Sequence, residues 1–205
     1  MVDILKILAA LAIGYLLGSL NAGMIVGRLY GKDIRNEGSK SAGLTNTLRV
    51  LGKQAALLVL VGDILKGIVA CVIGLRIGVY DQAGLDCVGL LAAGAGAVIG
   101  HNWPVYFGFR GGKGALTGIA VLFMFDWRIA LICLGLFLAI VAATRYVSLG
   151  TICASLLFLA LSFVPAFGHG AAFHLFALLM AAIVIFRHRT NIQRLLAGTE
   201  NKLAC

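Results

Sequence analysis

The segment from Gly100 to Gly114 reads GHNWPVYFGFRGGKG and lies between two strongly apolar segments of the chain. Its glycines let backbone N–H groups come close to a ligand, and successive N–H groups in a turn form a concave anion site. Lys113 adds a full charge, and a following helix would add the positive end of its dipole. The segment therefore predicts a phosphate or carboxylate cradle at a membrane surface. A plain Gly-rich turn with cytoplasmic cations is the alternative, since the Walker spacing is absent.

Composition places the whole chain in a membrane. Hydrophobic residues make up 61% of the 205 residues and charged residues 12%, against about 25% charged in soluble proteins. We therefore expect an all-α, polytopic membrane protein forming one integral membrane domain over 1–205. The net charge of +9 indicates cytoplasmic loops and an anionic substrate or lipid headgroup. No nucleic-acid-binding pattern accompanies these cations, so no nucleic-acid partner is expected.

The residue types that would support a metal site or a covalent enzyme intermediate are scattered. The five cysteines are odd in number and form no Cys-x-x-Cys pair, so neither a disulfide framework nor a zinc site is indicated. No Ser-His-Asp, Cys-His or HxxxxD pattern occurs, and no cofactor is expected. Direct transfer between two bound substrates is therefore the favoured chemistry. The histidines are His101, His169, His174 and His188.

Apolar runs and charge together predict seven transmembrane helices. The stretch 115–143 is ambiguous, because it could form one long helix or two short ones. Two spans put Arg145 and the basic tail on the same side as the other basic loops, as the positive-inside rule requires. This choice puts the N-terminus outside and the C-terminus in the cytoplasm. The predicted spans are 4–29, 54–75, 87–103, 115–125, 129–143, 147–164 and 171–186.

Polar residues within or beside the spans each have a structural and a functional interpretation. Asp63 and Lys66 lie three residues apart and share a helix face, which favours a buried ion pair over a contact with the site. For His101, packing or loop capping is favoured over catalysis, and His169 is predicted to lie outside the site. Gly14 and Gly18 indicate close helix packing. The polar stretch GSKSAGLTN at 38–46 is a further candidate anion site, although an ordinary turn uses the same residues. We call it the first anion loop, because it precedes the Gly100–Gly114 segment in the chain.

Taken together, four motifs resemble the bacterial acyl-phosphate:glycerol-3-phosphate acyltransferase family. Each motif is weak alone, but they occur in order, at matching spacing, over nearly the whole chain. The motifs are GHxxPVxFGFRGGKG at 100–114, RN at 35–36 through TN at 45–46 with Arg49, DILKG at 63–67, and RHRTNIQRL at 187–195.

The resemblance implies an integral inner-membrane enzyme with seven helices and its active site on the cytoplasmic face. Such an enzyme moves an acyl group from acyl phosphate to the 1-hydroxyl of glycerol 3-phosphate, giving lysophosphatidic acid, without acyl-CoA, acyl carrier protein or a metal. A catalytic set of His188, Asn191 and Lys113 is implied, with the first two binding or orienting the glycerol. The implied substrate-binding residues are Ser39, Thr45, Asn46, Arg49, Ser148 and the backbone N–H groups of Gly111, Gly112 and Gly114. The proton of the attacking hydroxyl could go to His188 or to a substrate phosphate oxygen.

The first loop departs from the family pattern, which usually reads Gly-Ser-Gly-Asn-x-Gly-Ala-Thr-Asn. Here Lys40 and Ser41 replace the Gly-Asn pair, and Leu44 replaces the alanine. Lys40 must then avoid a positive φ or carry a cost of about 1 kcal/mol or more. A transporter or a non-catalytic binding protein for a phosphorylated small molecule is the alternative function. It should show internal repeats or polar residues at the membrane midplane, and no clear repeat occurs.

Overall fold

The structure is a computed structural model that describes residues 2–203, and within them it is all-helical, as the sequence predicts. Short 3₁₀ turns at Val105–Phe107 and Pro165–Phe167 join some of the helices. Cys205 and the C-terminal limit of the predicted domain lie outside the described residues. The helices are α1 (Val2–Ser19), α2 (Ala22–Leu29), α3 (Leu44–Leu51), α4 (Lys53–Ile77), α5 (Val88–Asn102), α6 (Ala115–Phe125), α7 (Trp127–Thr144), α8 (Val147–Ser162), α9 (Ala171–Arg187) and α10 (Arg189–Leu196).

Length and composition identify fewer membrane spans than the seven predicted. In the described residues, three helical segments are long and apolar enough to cross a bilayer: 3–29, α4 and α7. A fourth is added if α9 and α10, which bend by 59°, count as one span. The helices α5, α6 and α8 have 15, 11 and 16 residues, so they are shorter than the roughly 30 Å of hydrocarbon at about 1.5 Å per residue. The chain is thus a helical membrane protein, and the count of seven stays a prediction.

The ambiguous stretch 115–143 forms two separate helices, α6 and α7. They are divided at Asp126, whose backbone is extended and whose carboxylate accepts N–H groups from Arg128 (2.8 Å) and Ile129 (3.3 Å). This N-cap ends one helix and starts the next, because it satisfies N–H groups that have no partner within α7. Gly114 before α6 and Ser148 after α7 line one cavity, so the two helices run in opposite directions.

Two expectations near the N-terminus need correction. The predicted span over 4–29 agrees with an apolar segment long enough to cross a bilayer. Its helix, however, is broken at Asn21, which caps α2 by accepting the N–H of Met24 (3.1 Å) and donates to the carbonyl of His101 (3.3 Å). The predicted anion loop at 38–46 is not wholly a loop, because the helix α3 begins at Leu44. Sequence hydropathy could not reveal either feature, since a capping asparagine and a short amphipathic helix barely change the apolar average.

Small residues bring α1 and α5 into close contact, as Gly14 and Gly18 predicted. A Cβ on either glycine would collide with the backbone of Ala93 or Ala97 on α5. Gly96 and Gly100 of α5 in turn lie against the backbone of α1. Backbones that touch without side chains between them gain dense van der Waals packing, which is the main attraction between helices in lipid. This packing fixes the end of α5, from which the Gly100–Gly114 segment departs.

Candidate active site

Four helix starts surround one cavity of about 430 Å³. The first turns of α3, α6 and α8 line it, together with the break between α9 and α10. The starts of α3, α6 and α8 have no side-chain cap, so their first N–H groups remain available to a ligand. Helix N-termini carry partial positive charge, and several at one cavity favour an anion. Polar lining residues are Ser39, Ser41, Thr45, Asn46, Arg49, Asp63, His101, Lys113, Ser148, His188, Asn191, Glu200 and Asn201.

Lys113 lies in the wall of this cavity, immediately before α6. Its ammonium donates to Oδ1 of Asn191 at 2.5 Å. Burial lowers the pKa of Lys113 to about 8, against the raising effect of the Glu200 charge, and the nearby Arg194 lowers it further. A bound phosphate would oppose this shift, because it supplies the negative charge that the ammonium lacks. The charged form of Lys113 is therefore stabilised when an anion enters the cavity.

Glu200 organises the polar wall opposite Lys113, and the sequence reasoning missed it. Its carboxylate accepts hydrogen bonds from Ser148 Oγ (2.8 Å), Asn191 Nδ2 (2.6 Å) and Arg194 Nε (2.7 Å). Burial alone would raise its pKa, but these donors hold the pKa of Glu200 below its usual value. The only signal in the sequence was a single acid in a basic tail. Asn191 therefore joins Lys113 to Glu200, and its amide positions the lysine.

His188 is buried at the break between α9 and α10. Its Nδ1 lies 2.8 Å from the carbonyl oxygen of Val184, so this nitrogen carries the proton and donates. Nε2 then remains as an acceptor. Burial lowers the pKa of His188 to about 4, and the charge of Lys113 lowers it further. The imidazole is therefore neutral at physiological pH and able to accept a hydrogen bond from a hydroxyl.

The first anion loop wraps around the amide of Asn46. This buried side chain accepts from the backbone N–H of Ser39 (2.8 Å) and donates to the carbonyls of Ile34 (2.8 Å) and Glu37 (3.1 Å). Asn46 thus holds the loop closed, while Ser39, Thr45 and Arg49 line the cavity. The guanidinium of Arg49 forms no hydrogen bond or ion pair with any described residue, so it is available to an anion.

The expected donors in the Gly-Gly-Lys-Gly turn need a correction. The N–H of Gly111 donates to the carbonyl of Asn102 (3.2 Å), and the N–H of Gly112 donates to that of His101 (3.1 Å). These two groups are therefore already paired and face the end of α5. Gly114, with φ of +76°, lines the cavity at the start of α6. Arg187 clamps the same turn by donating to the carbonyl of Gly112 at 2.6 Å.

The predicted ion pair inside α4 is present and reaches the site. Lys66 Nζ lies 2.7 Å from Asp63 Oδ1 and 2.9 Å from His101 Nδ1. The ring of His101 lies directly against Gly112, where a Cβ would collide with it. Asp63 and His101 also line the cavity. The ion pair therefore has both of the roles considered for it, because it is buried and it supports the turn that carries Lys113.

The inner part of the cavity is apolar. Side chains from α6, α7, α8 and α9 line it, and a chain-like hydrocarbon would be compatible with them. They include Leu116, Ile119, Leu134, Phe137, Phe158, Phe176 and Met180. In the described part of the chain, no group of three or more His, Cys, Asp or Glu side chains could hold a metal ion. The cavity thus joins a cationic mouth to an apolar interior.

Comparison with known proteins identifies relatives over almost the full length. The profile of the family described as glycerol-3-phosphate acyltransferase matches residues 8–198. A glycerol-3-phosphate acyltransferase of Thermoanaerobacter pseudethanolicus is 43% identical over 192 residues, covering 93% of this chain and 92% of that protein. One from Halalkalibacterium halodurans is 45% identical over 196 residues, covering 92% and 91%.

Two solved structures share the fold. The glycerol 3-phosphate form of PlsY (YgiH), an integral membrane glycerol 3-phosphate acyltransferase, has a TM-score of 0.86 and 36% identity, covering 100% of this chain and 96% of that one. The lysophosphatidic acid form of PlsY has a TM-score of 0.82 and 37% identity, covering 96% and 94%. The chain, a membrane acyltransferase, therefore belongs to the glycerol-3-phosphate acyltransferase family.

Proposed function

We propose that the protein transfers a fatty acyl group from acyl phosphate to the 1-hydroxyl of glycerol 3-phosphate, forming lysophosphatidic acid. The observation that carries this proposal is the cavity, in which uncapped helix starts and Lys113 lie at one end and apolar side chains at the other. Both proposed substrates carry phosphate, and one carries a hydrocarbon chain. The two related PlsY structures are described as a glycerol 3-phosphate form and a lysophosphatidic acid form.

The phosphate groups bind at the cationic end of the cavity. Lys113 and Arg49 supply full charges, Ser39 and Thr45 supply hydroxyl donors, and the starts of α3 and α6 supply backbone N–H groups. Gly114 lets the chain enter α6 at this point, while Gly111, Gly112 and Asn46 shape the two loops from behind. Charged hydrogen bonds of this kind contribute about 1.5–3 kcal/mol each, which suits a site that must hold two anions. The acyl chain extends into the apolar interior.

The reaction needs no covalent enzyme intermediate. The 1-hydroxyl oxygen of glycerol 3-phosphate attacks the acyl carbon and forms the new ester bond. The bond between that carbon and the phosphate oxygen breaks, and inorganic phosphate leaves with the electron pair. Lys113 and Arg49 stabilise the charge that grows on this leaving phosphate, which is the main electrostatic task of the site.

Three side chains form the wall beside the glycerol. His188 accepts a hydrogen bond from the attacking hydroxyl at Nε2, Ser148 lies within the same wall, and Asn191 holds Lys113 in place. With a pKa of about 4, His188 is a weak base at neutral pH. A phosphate with a second pKa near 6 is the better proton acceptor, so the proton goes to a substrate phosphate oxygen.

The proposed topology has seven spans, an external N-terminus, a cytoplasmic C-terminus and a cytoplasmic active site. The ends of α5 and α9 and the starts of α4, α6 and α8 lie at the end of the bundle that holds the cavity. The basic residues concentrate at this end, which supports a cytoplasmic location. In a cysteine-free background, Lys32→Cys and Thr199→Cys should react only with reagents applied from the cytoplasm, and Ala83→Cys only from outside. Labelling of Thr199→Cys from outside would contradict this topology.

The decisive experiment is an assay of the purified protein in a lipid bilayer. Lysophosphatidic acid should form from acyl phosphate and glycerol 3-phosphate, and inorganic phosphate should appear in equal amount. Acyl-CoA should not replace acyl phosphate. If the correctly folded protein binds glycerol 3-phosphate but makes no product with either donor, the binding or transport role becomes the better interpretation.

A further inference from the structure

A second polar groove of about 390 Å³ lies beside the active-site cavity and shares no lining residue with it. It is formed where the first anion loop, the Gly100–Gly114 segment and the end of α9 meet. We call it the basic groove. Its lining residues are Asp33, Arg35, Asn36, Lys40, Phe109, Arg110, Gly111 and Arg187.

The basic groove has an excess of unpaired positive charge. Its four cations face one carboxylate, Asp33, and Arg35 already holds that carboxylate with Nη2 at 2.7 Å. Arg187 is anchored on the carbonyl of Gly112 and lies over the ring of Trp103 at 5.2 Å. In residues 2–203, no ion pair or hydrogen bond engages the side chain of Lys40 or Arg110. A charge excess of this kind in a recess is suited to a bound anion.

Two residues that line the basic groove have an unusual backbone conformation. Lys40 has φ of +56° and Phe109 has φ of +59°, and few residues other than glycine adopt this left-handed region. The chain therefore places a lysine where the backbone disfavours it, and the result is one more cation at the groove. Backbone strain of this kind is concentrated at binding sites and active sites in proteins.

The surroundings of the groove indicate where that ligand comes from. The 3₁₀ turn beside it exposes Val105 and Tyr106, and Phe109 at its edge is 58% exposed. Aromatic and apolar side chains next to cations are typical of the headgroup level of a bilayer. Basic clusters at that level attract anionic lipids.

We propose that the basic groove binds a phosphate group presented at the membrane surface, namely the phosphodiester of an anionic lipid headgroup. A free phosphate ester would present the same chemistry, and the experiment below separates the two sources. Lys40 and Arg110 supply exposed charges without a partner among the described residues, and Arg187 supplies one that is already hydrogen-bonded. The site is distinct from the acyl-transfer cavity, so it does not depend on the proposed reaction.

The test measures lipids retained by the full-length protein in native mass spectrometry, using phosphatidylglycerol and phosphatidylcholine as probes. The wild type should retain phosphatidylglycerol in preference to phosphatidylcholine. Lys40→Gly and Arg110→Gln should each reduce that preference by about fivefold, the factor expected for one cation at the surface. Lys53→Gln removes an exposed lysine at the same end of the bundle and is the matched control, which should keep the preference. Lys113→Ala, in the other cavity, should also keep it.

Inorganic phosphate serves as the probe for the second source, in equilibrium dialysis with the same variants. If phosphatidylglycerol is not preferred but one phosphate-binding site disappears in both groove variants, the groove binds free phosphate. If neither probe depends on Lys40 or Arg110 in folded protein, the proposal is overturned. Acyl transfer is measured separately, so a failed groove and a failed reaction give different results.

Discussion

The two ends of the helix bundle use similar residues in opposite ways. At the end away from the cavity, His169 lies between two carboxylates, with Nδ1 3.2 Å from Asp86 and Nε2 3.1 Å from Asp126. Asp86 also accepts the N–H groups of Gly170 (3.0 Å) and Phe173 (3.1 Å). We call His169, Asp86, Asp126 and Arg128 the far-end network. Its side chains are joined to one another, because both ring nitrogens of His169 have a carboxylate partner and Arg128 Nη2 lies 2.7 Å from Asp126 Oδ2.

At the cavity, groups of the same kinds keep hydrogen-bonding positions that have no partner among the described residues. His188 has one nitrogen paired and one available, Arg49 has no partner in the described chain, and α3, α6 and α8 begin without a side-chain cap. Buried polar groups normally find partners, so the open acceptor of buried His188 and the uncapped helix starts suit the binding of a polar ligand. The comparison teaches that a buried histidine is structural when both ring nitrogens have protein partners, and is suited to a functional role when one nitrogen stays open.

The largest effect should follow the loss of Lys113. Lys113→Ala should lower kcat/KM for glycerol 3-phosphate by more than about tenfold, because a charged hydrogen bond contributes roughly 1.5–3 kcal/mol. Lys113→Arg should restore only part of the activity, since a planar fork does not match a point charge. Steady-state kinetics with Lys53→Ala as the control would test this. Wild-type kinetics in Lys113→Ala would remove the phosphate-cradle interpretation.

The next largest effect should appear in the pH dependence of kcat/KM, because Lys113 loses its charge at alkaline pH. Because burial lowers the pKa of Lys113 to about 8, the free enzyme should lose the positive charge as pH rises through that value. We expect kcat/KM to fall above about pH 8 and to approach a tenfold loss per pH unit. The fall should disappear in Lys113→Arg, whose guanidinium stays charged. An unchanged alkaline limb in that variant would assign the titration to another group.

Breaking the far-end network should lower the stability of the fold. Burial alone would raise the pKa of Asp126, but hydrogen bonds from Arg128 and His169 hold it below its usual value. A carboxylate of this kind stabilises the fold above its unfolded pKa, and the contribution is lost as pH falls below about 4. Asp126→Asn should therefore lower the free energy of unfolding by about 1–2 kcal/mol at pH 7.

Thermal unfolding in detergent at pH 7 and at pH 3 would measure this change. The difference in Tm between wild type and Asp126→Asn should be smaller at pH 3. Lysophosphatidic acid formation at a temperature where both are folded should not differ between them. A loss of kcat/KM without a loss of stability would mean that the far end takes part in the reaction, against the comparison above.

Features that depend on one segment were predictable from the sequence, and features that depend on several were not. Apolar runs located α4 and α9, and charge correctly divided the stretch 115–143. The two paired glycine N–H groups and the clamp from Arg187 depend on how α9 packs against α5, which no local pattern encodes. Glu200 lies in a polar tail whose composition resembles any terminal segment. Its role appears only when Ser148, Asn191 and Arg194 surround it.

The smallest effect, and the finest test of the first loop, concerns the backbone of Lys40. Its φ of +56° costs a residue with a Cβ about 1–2 kcal/mol, while glycine has no such cost. Glycine also gives the unfolded chain more freedom, which offsets part of the gain. Lys40→Gly should therefore raise the free energy of unfolding by about 0.5–1 kcal/mol. Lys40→Ala removes the same charge but keeps the Cβ, so it is the matched control and should give no gain. Equal stability of the two variants would show that the strain is relieved elsewhere in the loop. A gain for glycine alone, joined to weaker phosphatidylglycerol retention, would show that this chain keeps a lysine at a backbone position suited to glycine because of the anion it binds.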